Sequence, residues 1–124
     1  MRTLPPPIPE SGTYDCLVDR VVDGDTLDCL LFTPVRIRVL GMQAAELSTP
    51  KGKLVAKTVS DRLTRQIVAA TFRPKDQYGR ALANVLMPDG KDLAKWLIDL
   101  GLAVPWDGRG VRPKGRIRVG DLTI

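Results

Sequence analysis

Between residues 14 and 40 the chain reads as three alternating apolar runs joined by two turn signals, and this meander restricts the fold more than any other feature. Residues 14–22 form the first run, Asp23-Gly24 is a strong turn dipeptide, and residues 25–32 read as the returning strand. Thr33-Pro34 then turns the chain into residues 35–40. In this third run Val35, Ile37 and Val39 alternate with Arg36 and Arg38, the period of a half-buried strand that presents its arginines outward. Gly41 breaks the strand, so Gln43, Ala44 and Glu46 are expected in a loop at its end, where a rigid scaffold can display functional groups. A surface hairpin with solvated arginines would give the same local pattern.

Downstream the period changes. Leu54, Val55, Val59, Leu63 and Ile67 recur at about four-residue spacing, which predicts an amphipathic helix over 54–69. Lys51-Gly52-Lys53 leads into it; these lysines either rim a site for an anionic ligand or are plain solvated charge. A short strand is expected at 71–75, a turn at 76–79, and a strand over 80–87 with Ala81, Ala83 and Val85 alternating. A second helix over 91–100 would bury Leu93, Leu97 and Leu100, carry Trp96 as a packing residue at the edge of that face, and stop at Gly101. Three strands, a helix, two strands and a helix are the order of an α+β fold. It predicts a five-stranded barrel of the OB type, with one helix between strands 3 and 4 and another after strand 5.

At 124 residues the chain has the size of one domain. Pro5, Pro6, Pro7 and Pro9 make residues 1–12 an extended lead-in, residues 13–106 the folded domain, and 107–124 a tail. That tail holds Arg109, Arg112, Lys114, Arg116 and Arg118 against Asp107 and Asp121. The net charge of +5 favours a polyanionic partner such as nucleic acid. There is no histidine, which excludes Ser/His and Cys/His catalysis and any histidine-bound metal. Catalysis would have to draw on carboxylates, arginines, lysines or a hard cation. Cys16 and Cys29 are too few for a zinc site and are expected as small buried hydrophobes. No run is apolar enough to span a membrane, and the first residues lack a signal-peptide core. A cytoplasmic chain is expected as written, or a secreted or periplasmic one whose leader is missing.

Three short motifs follow one another along these elements: Asp23-Gly24-Asp25-Thr26, then Arg38 with Gly41, Gln43 and Glu46, then Asp76-Gln77-Tyr78-Gly79-Arg80. In this order and spacing the chain resembles the staphylococcal nuclease family, or thermonucleases, over about residues 13–106. The resemblance implies a calcium-dependent nuclease that hydrolyses phosphodiester bonds in DNA or RNA, with single-stranded nucleic acid as substrate and a monomeric enzyme. Carried over by position, Asp25 would ligate calcium, Arg38 and Arg80 would bind phosphate, and Glu46 would act as general base. Tyr78, beside Arg80 in its motif, would contact substrate, and Lys51 and Lys53, read as a rim for an anionic ligand, would do so too.

Planar guanidinium groups can grip the charge that gathers on a phosphoryl group under attack, and a carboxylate can orient or deprotonate a water. The chain departs from the family pattern at Gln43, where an acidic calcium ligand is expected. Its amide oxygen and the Ala44 carbonyl would be neutral ligands, so calcium affinity is expected to be weak. The alternative implied by the same departure is an SNase-like module that binds nucleic acid and has weakened or lost catalysis.

Overall fold

A computed structural model describes residues 11–31, 33–74 and 81–106. Strands β1 (Gly12–Asp23), β2 (Thr26–Leu30) and β3 (Pro34–Val39) form the expected meander. After β4 (Gly41–Ala44) and helix α1 (Pro50–Leu63) come β5 (Ile67–Arg73), β6 (Ala81–Leu86), helix α2 (Leu93–Asp99) and β7 (Ala103–Trp106). Five strands close a barrel in the order β1-β2-β3-β6-β5, and β3 pairs with β6 in parallel, Arg38 opposite Leu82. The fold is thus the five-stranded barrel with two helices that the pattern predicts.

Alternation fills the interior. Cys16, Val18, Leu27, Cys29, Val35, Ile37 and Val39 point inward from the meander, and Val68, Ala70, Phe72, Ala83 and Val85 from β5 and β6. Both cysteines are free and buried, as expected; burial pushes the Cys16 thiol up to about 11 and the Cys29 thiol up to about 12, so neither is a ready nucleophile. No described helix is long and apolar enough to cross a membrane.

Three expectations need correction. Helix α1 lies several residues earlier than its apolar spacing suggests. Thr49 caps it, its hydroxyl accepting from Gly52 N–H (2.9 Å), and Pro50 occupies the first turn, where a missing N–H costs nothing. Lys51 and Lys53 therefore sit on the helix. It buries Gly52, Val55, Val59 and Leu63, while Leu54 is left exposed. Arg65 then turns left-handed (φ 70°) and ends the helical run, so Ile67 is an exposed residue of β5 and not the helix's last apolar contact.

Second, Gln43 and Ala44 do not lie in a loop. Gly41 takes φ 94° and re-aims the chain into β4, which pairs antiparallel with β7, Gln43 opposite Val104 and Gly41 opposite Trp106. Third, α2 is shorter than expected, capped by Asp92, whose side chain accepts from Lys95 N–H (3.1 Å). It buries Leu93 and Leu97 and leaves Leu100 exposed; Gly101 stops it in the left-handed region. Trp96 packs half-buried at its edge, beneath the Arg62 guanidinium.

Candidate active site

The site is assembled where the β1–β2 turn meets β4. Gly24 and Asp25 form that turn between Asp23 and Thr26. Gly24 is not left-handed; it is needed for contact, since a Cβ there would overlap Val55 on α1 and come within 2.8 Å of Ala44 Cβ. The turn is thereby seated against both the helix and β4, which fixes the Asp25 carboxylate beside it.

Asp25 is 4% exposed and fully engaged. Its Oδ2 accepts from Ala44 N–H at 3.0 Å and lies 3.5 Å from Arg38 Nη1, while its Oδ1 accepts from the Thr26 hydroxyl at 3.2 Å. Arg36 stays outside, paired with Asp28 at 2.7 Å, in keeping with an outward arginine. Arg38 does not stay outside: its side chain is 11% exposed beneath the β4–β7 ribbon. Nη1 donates to Val39 O (2.7 Å), Nη2 donates to Met42 O (3.1 Å) and to Gln43 Oε1 (2.9 Å), and the Trp106 ring lies 5.5 Å from the guanidinium carbon. Gln43 is 2% exposed, and its Nε2 donates to Ala44 O at 3.0 Å. Among the described residues no buried side-chain nitrogen or oxygen lacks a partner.

Asp25, Arg38, Gln43 and Ala44 are thus brought together. Glu46 stands exposed in the loop that follows β4, with its backbone tied down: its carbonyl accepts from Thr49 N–H (3.0 Å) and the Thr49 hydroxyl (2.7 Å). Lys51 is half-buried and Lys53 exposed on the first turns of α1. Tyr78 and Arg80 lie outside the described residues, although Ala81, next after Arg80, pairs with Ile37 beside Arg38.

Two participants escaped the reading of the sequence. Asp23 looked like a turn residue, yet its Oδ1 accepts from Asp25 N–H (3.1 Å), and its carboxyl is pushed up to about 6 by burial and by the neighbouring Asp25 carboxylate. Trp106 had no motif around it; its place over Arg38 follows from the pairing of β7 with β4.

The shift at Asp23 gives a pH effect of definite sign. The folded protein holds this proton up to about pH 6, whereas the unfolded chain releases it near 3.8. Stability of the calcium-free protein therefore falls as pH rises through that window. Asp23→Asn keeps the acceptor for Asp25 N–H and removes the charge, so in chelator its Tm is expected to exceed that of the native protein at pH 7 and to match it near pH 4. Equal Tm values at pH 7 would show that the Asp23 charge costs the fold nothing.

Fold and site together define a small OB-like barrel with a largely buried aspartate–arginine pair at its rim. Family membership makes this specific. The model of the staphylococcal nuclease homologue family matches residues 36–115, and the chain belongs to that family. An uncharacterized endonuclease of Escherichia coli O157:H7 is 31% identical over 87 residues, which cover 69% of this chain and 57% of that protein. Endonuclease YhcR of Bacillus subtilis (strain 168) is 34% identical over 121 residues, covering 83% of this chain and 10% of the relative. A micrococcal nuclease of Shigella flexneri is 32% identical over 82 residues, covering 65% and 47%. The chain spans about half the length of the Escherichia and Shigella relatives and a small part of the Bacillus one.

Proposed function

We propose that the protein hydrolyses phosphodiester bonds in single-stranded DNA or RNA with the help of calcium. The observation that carries this reading is the meeting of Asp25 and Arg38 at 3.5 Å on the barrel rim of a staphylococcal nuclease homologue. The donor chemistry fits a hard cation at the Gly24 turn, where two carboxylates, Asp23 and Asp25, stand close together and burial, with the Asp25 carboxylate, raises the pKa of Asp23. Among the described residues no group of three acidic or thiol side chains surrounds a common point, so affinity should be weak. When bound, calcium would supply positive charge against the charge that builds on the phosphoryl oxygens.

The chain's own residues divide the remaining work. Arg38 would meet the phosphate with a guanidinium held in a dry setting, where electrostatic contacts are screened least. Arg80 would supply the second guanidinium. Glu46, exposed on an anchored loop, is free to take a proton from an attacking water, and Lys51, Lys53 and Tyr78 would guide the strand.

Binding without cleavage is the second reading, and it is favoured by one observation: both terminal nitrogens of Arg38 already donate within the protein. Incubation of the protein with single-stranded DNA in calcium and in chelator separates the two. Cleavage in calcium alone supports the enzyme; retention of the strand without cleavage in either supports the binding module. In both cases affinity should fall linearly on a log–log plot against salt. The described residues hold 11 Lys and Arg against 10 Asp and Glu, so most of the net +5 lies outside them. Deleting residues 109–124 should therefore flatten that salt slope, and an unchanged slope would exclude the tail from binding.

A further inference from the structure

Arg38 leaves β3 on the outward side and yet is almost covered, because the β4–β7 ribbon folds over it. Its guanidinium is held along its edges by the Val39 and Met42 carbonyls and the Gln43 amide oxygen, and on its face by the Trp106 ring. All four of these groups are uncharged. Among the described residues its charged neighbour is Asp25, at 3.5 Å.

The amide of Gln43 is fixed at both ends, Oε1 by Arg38 Nη2 and Nε2 by Ala44 O, inside a residue that is 2% exposed. Turning Oε1 toward a cation would break both hydrogen bonds, which is costly in a dry site. A carboxylate in this place would hold the same guanidinium but would add a second negative charge to the one Asp25 already brings. A neutral amide holds it without that addition.

We propose that Gln43 is a positioning residue for Arg38: together with Val39, Met42 and Trp106 it fixes the guanidinium without adding a carboxylate to that of Asp25, and it is not a ligand of the cation. The assignment deepens the phosphodiesterase reading but rests on geometry that exists before substrate or calcium arrives.

Gln43→Met keeps the length of the side chain and removes the amide. In chelator, the Arg38 guanidinium protons, followed by nitrogen-15 NMR and assigned with Arg38→Lys, should exchange at least tenfold faster in Gln43→Met than in the native protein. Gln43→Glu should restore their protection. Calorimetric titration with calcium should give Gln43→Met a Kd within twofold of the native value. On single-stranded DNA, both variants should lose at least tenfold in kcat, with KM for Gln43→Met within threefold: the first because Arg38 is loose, the second because it is held but carries a second carboxylate beside Asp25.

Unchanged guanidinium exchange, or a calcium Kd weakened fivefold or more in Gln43→Met, would overturn the proposal. A native protein that cleaves nothing would end the nuclease reading and leave the exchange measurement to decide the role of Gln43; one that takes up no calcium leaves the same measurement decisive. Should Gln43→Met lose its native circular dichroism, Gln43→Asn, a carbon too short to reach Nη2, makes the same test.

Discussion

Gly52→Ala is expected to unfold the protein at a markedly lower temperature and, on the nuclease reading proposed above, to abolish cleavage with it. A Cβ on this residue would overlap the Glu46 carbonyl oxygen, and that atom belongs to backbone, which cannot rotate aside. The same carbonyl accepts from Thr49, whose hydroxyl accepts from Gly52 N–H, so the cap of α1 and the Glu46 loop would be pried apart together. Forced overpacking of this kind costs about 3 kcal/mol, which for a domain of this size lowers Tm by roughly 10–20 °C. Thermal denaturation followed by circular dichroism measures it. A Tm within a few degrees of the native value would mean that the loop can move away from the helix at little cost. The neighbouring Lys53→Ala, on exposed surface, is the control and should leave Tm unchanged.

Asp25→Ala is expected to have the other large effect, and through electrostatics. The carboxylate and its partner Arg38 are both largely buried, at 6% and 11% side-chain exposure. Removing one member of such a pair leaves the other's charge uncompensated in a poor solvent for ions and costs about 3–5 kcal/mol. Ala44 N–H loses its acceptor as well. Asp25→Asn separates the two roles: its amide oxygen can still accept from Ala44 N–H, so it should recover only the hydrogen-bond part of that loss. Cleavage should nevertheless fall on the order of a hundredfold or more, the scale of losing one preorganised electrostatic contact. Chemical denaturation of both variants, with cleavage measured on those that fold, makes the comparison. An Asp25→Asn protein of native activity would remove Asp25 from the site.

The parts of the fold that were legible in the sequence are those where alternation and turn chemistry agree. The meander, β6 and the second helix each combine a clean period with a glycine, proline or aspartate at the boundary. The first helix was misplaced because Val55, Val59, Leu63 and Ile67 keep a spacing of four across the point where the helix ends. Arg65 makes that break with no glycine to announce it. Thr49-Pro50, a cap residue followed by a proline in the first turn, was the available signal for the true start.

Strands β4 and β7 were illegible for a different reason. Each has four residues, too few for a period to show, and Pro105 argues against a strand until one sees that its partner lies at the edge of a two-stranded ribbon. The motif residues of the site were visible as types and spacings, and the outward parity of Arg38 was visible too. Its burial was not, since it depends on the ribbon that covers it.

The ribbon also sets an order of events during synthesis. Every barrel strand precedes β7 in the chain, and so do both helices. As a polypeptide leaves the ribosome its earlier segments fold first, so the barrel can close and bury its core while the segment from Ala103 to Trp106 is still missing. Such an intermediate would be compact, with Arg38 lacking its aromatic cover and Gln43 lacking the strand that aligns it. The last described strand is then the step that separates a folded barrel from a finished site.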